Sequence, residues 1–368
     1  MGSKRKVHVR KNLSLLMVLV FLLPLLFSTF AYSKTFTHPG ILNSQDNLKR
    51  LYKNFAENKI SSKALSTLLK NKFADINRPY TPYAIVKVES HVANIYEKAF
   101  RGDAHAARAN ALLWVMTDEK QYLVNAKRIL NDWAETFQTI KVVKGHRSQA
   151  YLEAAWALPV WISAAEIIRY YDNAKGNWSE ERVKQFDKFV LKLHAFSKKA
   201  KKPNNWGASA SLGDVAVGVY LNNDAIFDEG VTSFKHYLKT LSTEDGALTS
   251  DYLRDTWHPQ YTLIAWIQTA EIAWHQGIDL YGLKFKGEEQ PRLKVVLEHF
   301  SKLFIGELTN PEGLKKGNYK NANANRPGYQ IAFNHYSHRL DKTEQTEAFK
   351  TMFQTWYPGG FKDLFMSW

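Results

Sequence analysis

Apolar residues recur at intervals of three and four along most of the chain, the period of helices that bury one face. The pattern predicts helices over 86–100, 104–116, 119–137, 148–171, 179–202, 205–221, 225–242, 259–276, 290–306 and 342–355, after helical spacing at 44–69. Punctuation supports several of these. Ser179 precedes Glu180 and Glu181, a helix start with acidic residues in the first turn. Gly277 stands where the 259–276 helix should stop. Strand signals are few and short, at Lys141-Val142-Val143 and from Tyr281 to Phe285. The stretch from Gly306 to Phe333 is polar and rich in Gly and Asn, and a loop that long is usually functional or disordered. Helical hairpins recur roughly every 40–50 residues, the spacing of a ring of helix pairs. No Pro- or Ser-rich linker divides them, so a single all-α domain is expected.

The first 33 residues follow a different pattern. Lys4, Arg5, Lys6, Arg10 and Lys11 precede an apolar run from Leu13 to Phe27, and Ala31-Tyr32-Ser33 supplies small residues at −3 and −1. This is the layout of a secretory signal, and the run is short of the about 20 residues of a membrane span. No later segment reads as long and apolar enough to span a bilayer. Residues 34–368 are therefore expected to be exported, periplasmic or extracellular, with no membrane contact in the mature form. A monomer is expected.

Composition narrows the partners. The 368 residues carry a formal charge of +15, of which five charges lie in the leader, leaving +10. An exported basic protein has little occasion to meet nucleic acid, whereas its field would draw in an acidic polysaccharide. There is no cysteine, which excludes disulfides, thiolate metal sites and a cysteine nucleophile. His and carboxylate residues show no metal-ligand spacing, and phosphate-loop, nucleophile-elbow and zinc-helix motifs are absent, so no metal or cofactor is expected.

Asn, Arg, His and Tyr cluster in three places. In Pro203-Asn204-Asn205-Trp206, two adjacent Asn allow one to cap a helix and the other to hydrogen-bond a substrate carboxylate. The run Asp251 to Tyr261 holds Arg254, His258 and Tyr261, which would share one face of a helix. Pro259 favours a helix start near Trp257 or His258, with Arg254 on the entering loop. The structural alternative pairs Arg254 with Asp251 or Asp255 and leaves Tyr261 as a half-buried core residue. The third cluster is Lys144-Gly145-His146-Arg147-Ser148-Gln149, which could equally be a polar loop with Ser148 as a cap. His105 and His335-Tyr336 read as structural.

Asn204-Asn205-Trp206, the Arg254-x6-Tyr261 spacing and the run from Ala270 to Gly282 (AEIAWHQGIDLYG) together resemble the alginate-lyase-like polysaccharide lyases. The stretch from Tyr151 to Ile168 is similar to the helix that lines their cleft. The resemblance implies an incomplete (α/α) toroid and an enzyme that splits a uronic-acid polymer by β-elimination. It implies Tyr261 as base and acid, with Asn205 and Arg254 neutralising the substrate carboxylate. The mannuronate-specific members carry His where this chain has Trp206, so His258 or His146 is the candidate replacement. Asn204, Trp206, His146, Arg147, Gln149 and Trp257 complete the expected substrate-binding set, with Trp rings offering faces for sugar C–H surfaces. With that histidine missing, substrates suited to syn elimination are favoured: polymannuronate or a β-glucuronan. Two other classes remain open. A glycoside hydrolase would need two carboxylates about 5–10 Å apart, from among Asp214, Asp245, Asp251 and Asp255. A non-catalytic polysaccharide-binding protein would turn nothing over.

Overall fold

The computed structural model describes residues 1–2, 35–60, 66, 69–90, 92–322 and 329–339. The expected signal and the expected 342–355 helix lie outside the described residues. The chain divides into Met1–Thr35 and Phe36–Trp368, and all the elements below belong to the second unit.

The order is α1 (Gln45–Ala56), β1 (Ile85–Glu89), α2 (Ile95–Thr117), α3 (Lys120–Thr136), β2 (Thr139–Lys144), α4 (Gln149–Ala174), α5 (Glu180–Ser197), α6 (Asn205–Tyr220), α7 (Asp224–Leu241), α8 (His258–His275) and α9 (Arg292–Ile305). Two short helices, α10 (Tyr319–Ala322) and α11 (Tyr329–Asn334), and a π-turn (His335–Arg339) follow. Helices α2, α4, α6 and α8 are apolar or small on nearly every side and form the inner layer. Helices α3, α5, α7 and α9 are amphipathic, as a layer with one wet face must be. Neighbouring inner helices pack on one another, and α2, α4 and α6 each pack on the outer helix that follows. This is the ring of helix pairs that the hairpin spacing predicts, and the incomplete (α/α) toroid that the resemblance implies.

Three expectations are corrected. Residues 86–100 do not form one helix. Val86 and Val88 alternate inward on β1, which pairs in parallel with β2. Helix α2 then starts at Ile95, where Asn94 and Glu97 form a reciprocal capping box. Residues 281–285 are not a strand. Helix α4 is long and apolar enough to cross a membrane by length and composition. It is instead the buried inner helix packed between α2, α5 and α6, where apolarity on all sides meets protein. Its regular geometry stops at Tyr171, because Asp172 and Asn173 are left-handed, with φ of 48° and 56°. The 306–333 stretch is partly ordered by α10 and by Tyr319, whose hydroxyl donates to the Tyr252 carbonyl at 2.9 Å.

Candidate active site

The inner helices enclose a cavity of about 250 Å³, and each contributes to its wall. Helix α2 supplies Arg101 and His105, α4 Trp156, α6 Ser209, and α8 Tyr261 and Gln268. Tyr261 stacks on Trp156 with ring centroids 5.2 Å apart and planes 22° from parallel. The Arg101 guanidinium lies 5.9 Å from the Trp156 ring and its Nε is 2.9 Å from Glu153 Oε1. Burial pushes the Glu153 carboxyl up to about 7, against the pull of Arg101 and with Glu97 adding to the rise. Burial likewise pushes His105 down to about 4, assisted by Arg108 and Arg101, so its ring is neutral near pH 7. Pro159 cannot donate to the Ala155 carbonyl one turn back, and both residues lie in the cavity wall.

The start of α6 separates the two asparagines. Asn204 is the N-cap, its Oδ1 accepting from the Trp206 amide at 3.0 Å. Asn205 is the first helical residue, 1% exposed, and its Oδ1 has no hydrogen-bond partner among the described residues. A buried polar atom left without a partner is rare in a native fold and calls for an explanation. One turn on, Ser209 donates to the Asn205 carbonyl at 2.9 Å and reaches the cavity. Trp206 packs with Tyr151 on a small cluster of alanines, and Lys202 Nζ sits 3.7 Å from the Trp206 ring centroid.

The start of α8 gathers the second cluster around Asp255. Its Oδ1 accepts from the amides of Trp257 at 2.8 Å and His258 at 2.9 Å, taking the place of a side-chain cap from Trp257. Its Oδ2 lies 2.7 Å from His258 Nδ1 and 3.5 Å from Arg254 Nε. Burial raises the Asp255 carboxyl, but the two amides and the imidazole outweigh it and hold the group below the ordinary carboxylate range. His258 meets Tyr261 edge to face at 6.1 Å. Arg254 lies on the entering loop, half exposed, and also pairs with Asp251 at 3.5 Å. The loop after α9 braces this segment: Lys315 N–H donates to the Leu253 carbonyl at 2.8 Å, and Tyr319 reaches the Asp255 carbonyl at 3.4 Å. Trp257 is exposed and points away from the core.

The third cluster sits apart from the cavity wall. His146 and Arg147 are exposed on the loop that β2 presents, with the His146 amide donating to Ser90 Oγ at 2.9 Å. Ser148 does not cap α4 through its side chain; its own amide donates to His146 Nδ1 at 3.1 Å. Gln149 is half-buried at the first position of α4. The structure thus brings Tyr261 against His258 and Trp156, sets Arg254 beside the Asp255 carboxylate that holds His258, and leaves Asn205 outside the cavity wall, one turn before Ser209, which reaches it.

The carboxylates a hydrolase would need are otherwise engaged. Asp214 is buried between His194 at 2.8 Å and Lys201 at 3.3 Å. Asp245 accepts from Thr243, Asp255 holds His258, and none of the four candidates lines the cavity. Sequence reasoning missed Arg101, Glu153 and Gln268, and offered Asp255 only as an ion-pair partner of Arg254 or a hydrolase carboxylate. A glutamate inside the apolar run YLEAAWALP was the available signal, because such a charge must be paired.

The ring of helix pairs around a central aromatic cavity defines the fold class, an incomplete (α/α) toroid. Solved structures agree on the fold. Alginate lyase A1-III from Sphingomonas species A1 matches with a TM-score of 0.62 and 16% identity, over 84% of this chain and 93% of that one. A tyrosine-to-phenylalanine variant of alginate lyase A1-III complexed with tetrasaccharide matches with a TM-score of 0.63 and 17% identity, over 90% of this chain and 99% of that one. An alginate lyase from Bacteroides ovatus matches with a TM-score of 0.58 and 13% identity, over 74% and 85%. No curated protein matches the sequence. The sequence model of the family described as alginate lyase matches residues 54–302. The chain belongs to the alginate lyase family and is a polysaccharide lyase.

Proposed function

We propose that this chain cleaves a uronate polymer by β-elimination, acting on alginate with a preference for polymannuronate, or on a β-glucuronan. The observation that carries the reading is Tyr261 stacked on Trp156 in the wall of the central cleft, with His258 beside it. A bound tetrasaccharide in a variant of alginate lyase A1-III supports an acidic oligosaccharide as the cleft's occupant.

The chemistry follows from the substrate. A proton next to a carboxylate is very weakly acidic until the carboxylate charge is neutralised and the developing enediolate is held. Asn205 and Arg254 suit that role, an amide and a guanidinium that hydrogen-bond carboxylates. The buried, unpartnered Asn205 Oδ1 supports it further, because a sugar hydroxyl could donate there. The Tyr261 phenolate then takes the C5 proton. The C5–H electron pair forms the C4=C5 double bond, the C4–O bond breaks, and the phenol returns the proton to the leaving oxygen. One residue serves as base and acid only where the C5 hydrogen and O4 share a face, as in mannuronate and glucuronate.

Residues 34–368, exported to the periplasm or medium, would act as a monomer on this polymer. Asn204 holds the helix that presents Asn205, while Trp206, Trp257, His146, Arg147 and Gln149 are the outlying sugar contacts. The test is continuous ultraviolet absorbance of the unsaturated product on polymannuronate, polyguluronate, glucuronan and hyaluronan. Turnover on polymannuronate or glucuronan, abolished in Tyr261→Phe, is expected. Activity confined to polyguluronate would overturn the syn assignment.

A further inference from the structure

We propose that Asp255 is a positioning residue for the reaction, and that His258, which it orients, serves Tyr261 in place of the histidine absent at Trp206. The inference rests on the reading of Tyr261 given above and deepens it.

The geometry of Asp255 is more than that of a cap. One oxygen is used by the helix start, accepting from the Trp257 and His258 amides. The other lies 2.7 Å from His258 Nδ1. Because the first oxygen is fixed by two backbone donors, the second cannot swing away without uncapping α8. The imidazole is therefore held with Nδ1–H toward the carboxylate, and Nε2 is the nitrogen left for chemistry. His258 and Tyr261 are three residues apart on one helix, so their rings meet on one face, 6.1 Å apart. The Asp255 carboxylate thus fixes the orientation of the ring through the Nδ1 contact. The ring so fixed is held against Tyr261, the residue that carries the proton in the elimination.

Among the described residues, Arg254 also meets the Asp255 oxygen that holds His258, at 3.5 Å. Arg254 and Asp251 stand on the entering loop and pair with each other at 3.5 Å. Tyr319, from α10, is pushed up by burial, with Tyr252, Asp255 and Asp251 adding, and stays a neutral phenol. Asp255 is thus the anion in direct contact with the imidazole.

The test compares Asp255→Asn, His258→Gln, the double variant and Tyr261→Phe, with thermal melts for each. Asn still caps through its Oδ1 but has no charge and offers an N–H to His258 Nδ1. The expected result for Asp255→Asn is kcat lower by about tenfold or more, KM within about twofold, and melting near the parent. The double variant should be no slower than His258→Gln alone. Asp255→Ser, which caps with its hydroxyl, gives the same comparison if the Asn variant does not fold. Independent, multiplying losses in the double variant, or a raised KM with kcat unchanged, would overturn the proposal. If Tyr261→Phe is inactive while His258→Gln keeps the parent rate, this inference falls and the reading of Tyr261 stands. If Tyr261→Phe keeps the parent rate, both fall.

Discussion

Asn204 and Asn205 show how far identical neighbours can diverge. Asn204 satisfies a backbone donor at the start of α6, whereas Asn205 is buried with an oxygen that nothing among the described residues satisfies. Replacing a cap with Ala costs about 1 kcal/mol of stability. Removing an unsatisfied buried acceptor costs little and relieves a desolvation penalty. Asn204→Ala should therefore lower the melting temperature with lyase activity largely kept. Asn205→Ala should leave melting at or above the parent while kcat falls about 10²-fold, the scale of losing one donor to a developing oxyanion. Melts and initial rates on the same two preparations separate the effects. That one of the two would cap a helix was legible in sequence, because Asn is a strong N-cap residue and a proline-ended segment precedes it. The role of Asp255 was not. An aspartate beside an arginine reads as an ion pair, and the Arg254 pair does exist at 3.5 Å. Its closer contact, at 2.7 Å, is with a histidine whose orientation depends on where the helix begins. Arg101 and Glu153 were hidden for another reason: the cavity joins α2 to α4, and nothing local in either helix records that meeting.

At the scale of elements, periodicity located most of the helices, since each buries a stripe or, for the inner ring, its whole surface. It failed at 86–100, where a strand of alternating burial and a helix lie end to end and the combined apolar spacing imitates one helix. The Asn94–Glu97 capping box was the overlooked divider. What periodicity does not show is how closely two helices approach, and here glycine decides. A Cβ at Gly218 in α6 would lie 2.5 Å from the Phe227 backbone nitrogen of α7. Backbone cannot turn aside as a side chain can, so α6 and α7 must separate to admit a methyl. Gly218→Ala is expected to destabilise by about 1–3 kcal/mol, the usual cost of overpacking. At Gly277 no atom lies within 4 Å of an added Cβ, and only the φ of +77° opposes substitution. Gly277→Ala should cost about 1 kcal/mol, less than Gly218→Ala. Urea unfolding of the two variants side by side checks the order, and the reverse order would mean that the α6–α7 crossing adapts.

At the scale of the whole molecule, the ring is held at one end by chemistry and at the other by a strap. The segment Phe36–Gly40 crosses the ends of the inner helices far from Tyr261. Its His38 Nδ1 is 2.9 Å from Glu166 of α4, Nε2 is 3.1 Å from Asn222 just past α6, and the ring stacks on Tyr170 at 4.1 Å. The Gly40 amide donates to Glu166 at 3.0 Å, and Gln276, past α8, accepts from the Thr37 amide at 2.8 Å. No sequence pattern announces such a clasp, because its partners are more than a hundred residues away. Glu166 lies ten residues beyond Trp156 on α4, about 15 Å along the axis, so the strap and the cleft should respond to mutation separately. Burial alone would lower the His38 pKa, but the hydrogen bond and charge of Glu166, with Asn222, raise it above the ordinary value. A raised folded-state pKa means that the folded protein holds the proton more tightly than the unfolded chain. The stabilisation is then complete below the unfolded value of about 6.5 and is lost as pH rises through the folded one. His38→Gln should therefore depress the melting temperature most under mildly acidic conditions and least under alkaline ones, with kcat on the polymer unchanged. A deficit that is the same at both ends of the pH range, or larger at the alkaline end, would mean that stacking on Tyr170 rather than the charged pair holds the strap.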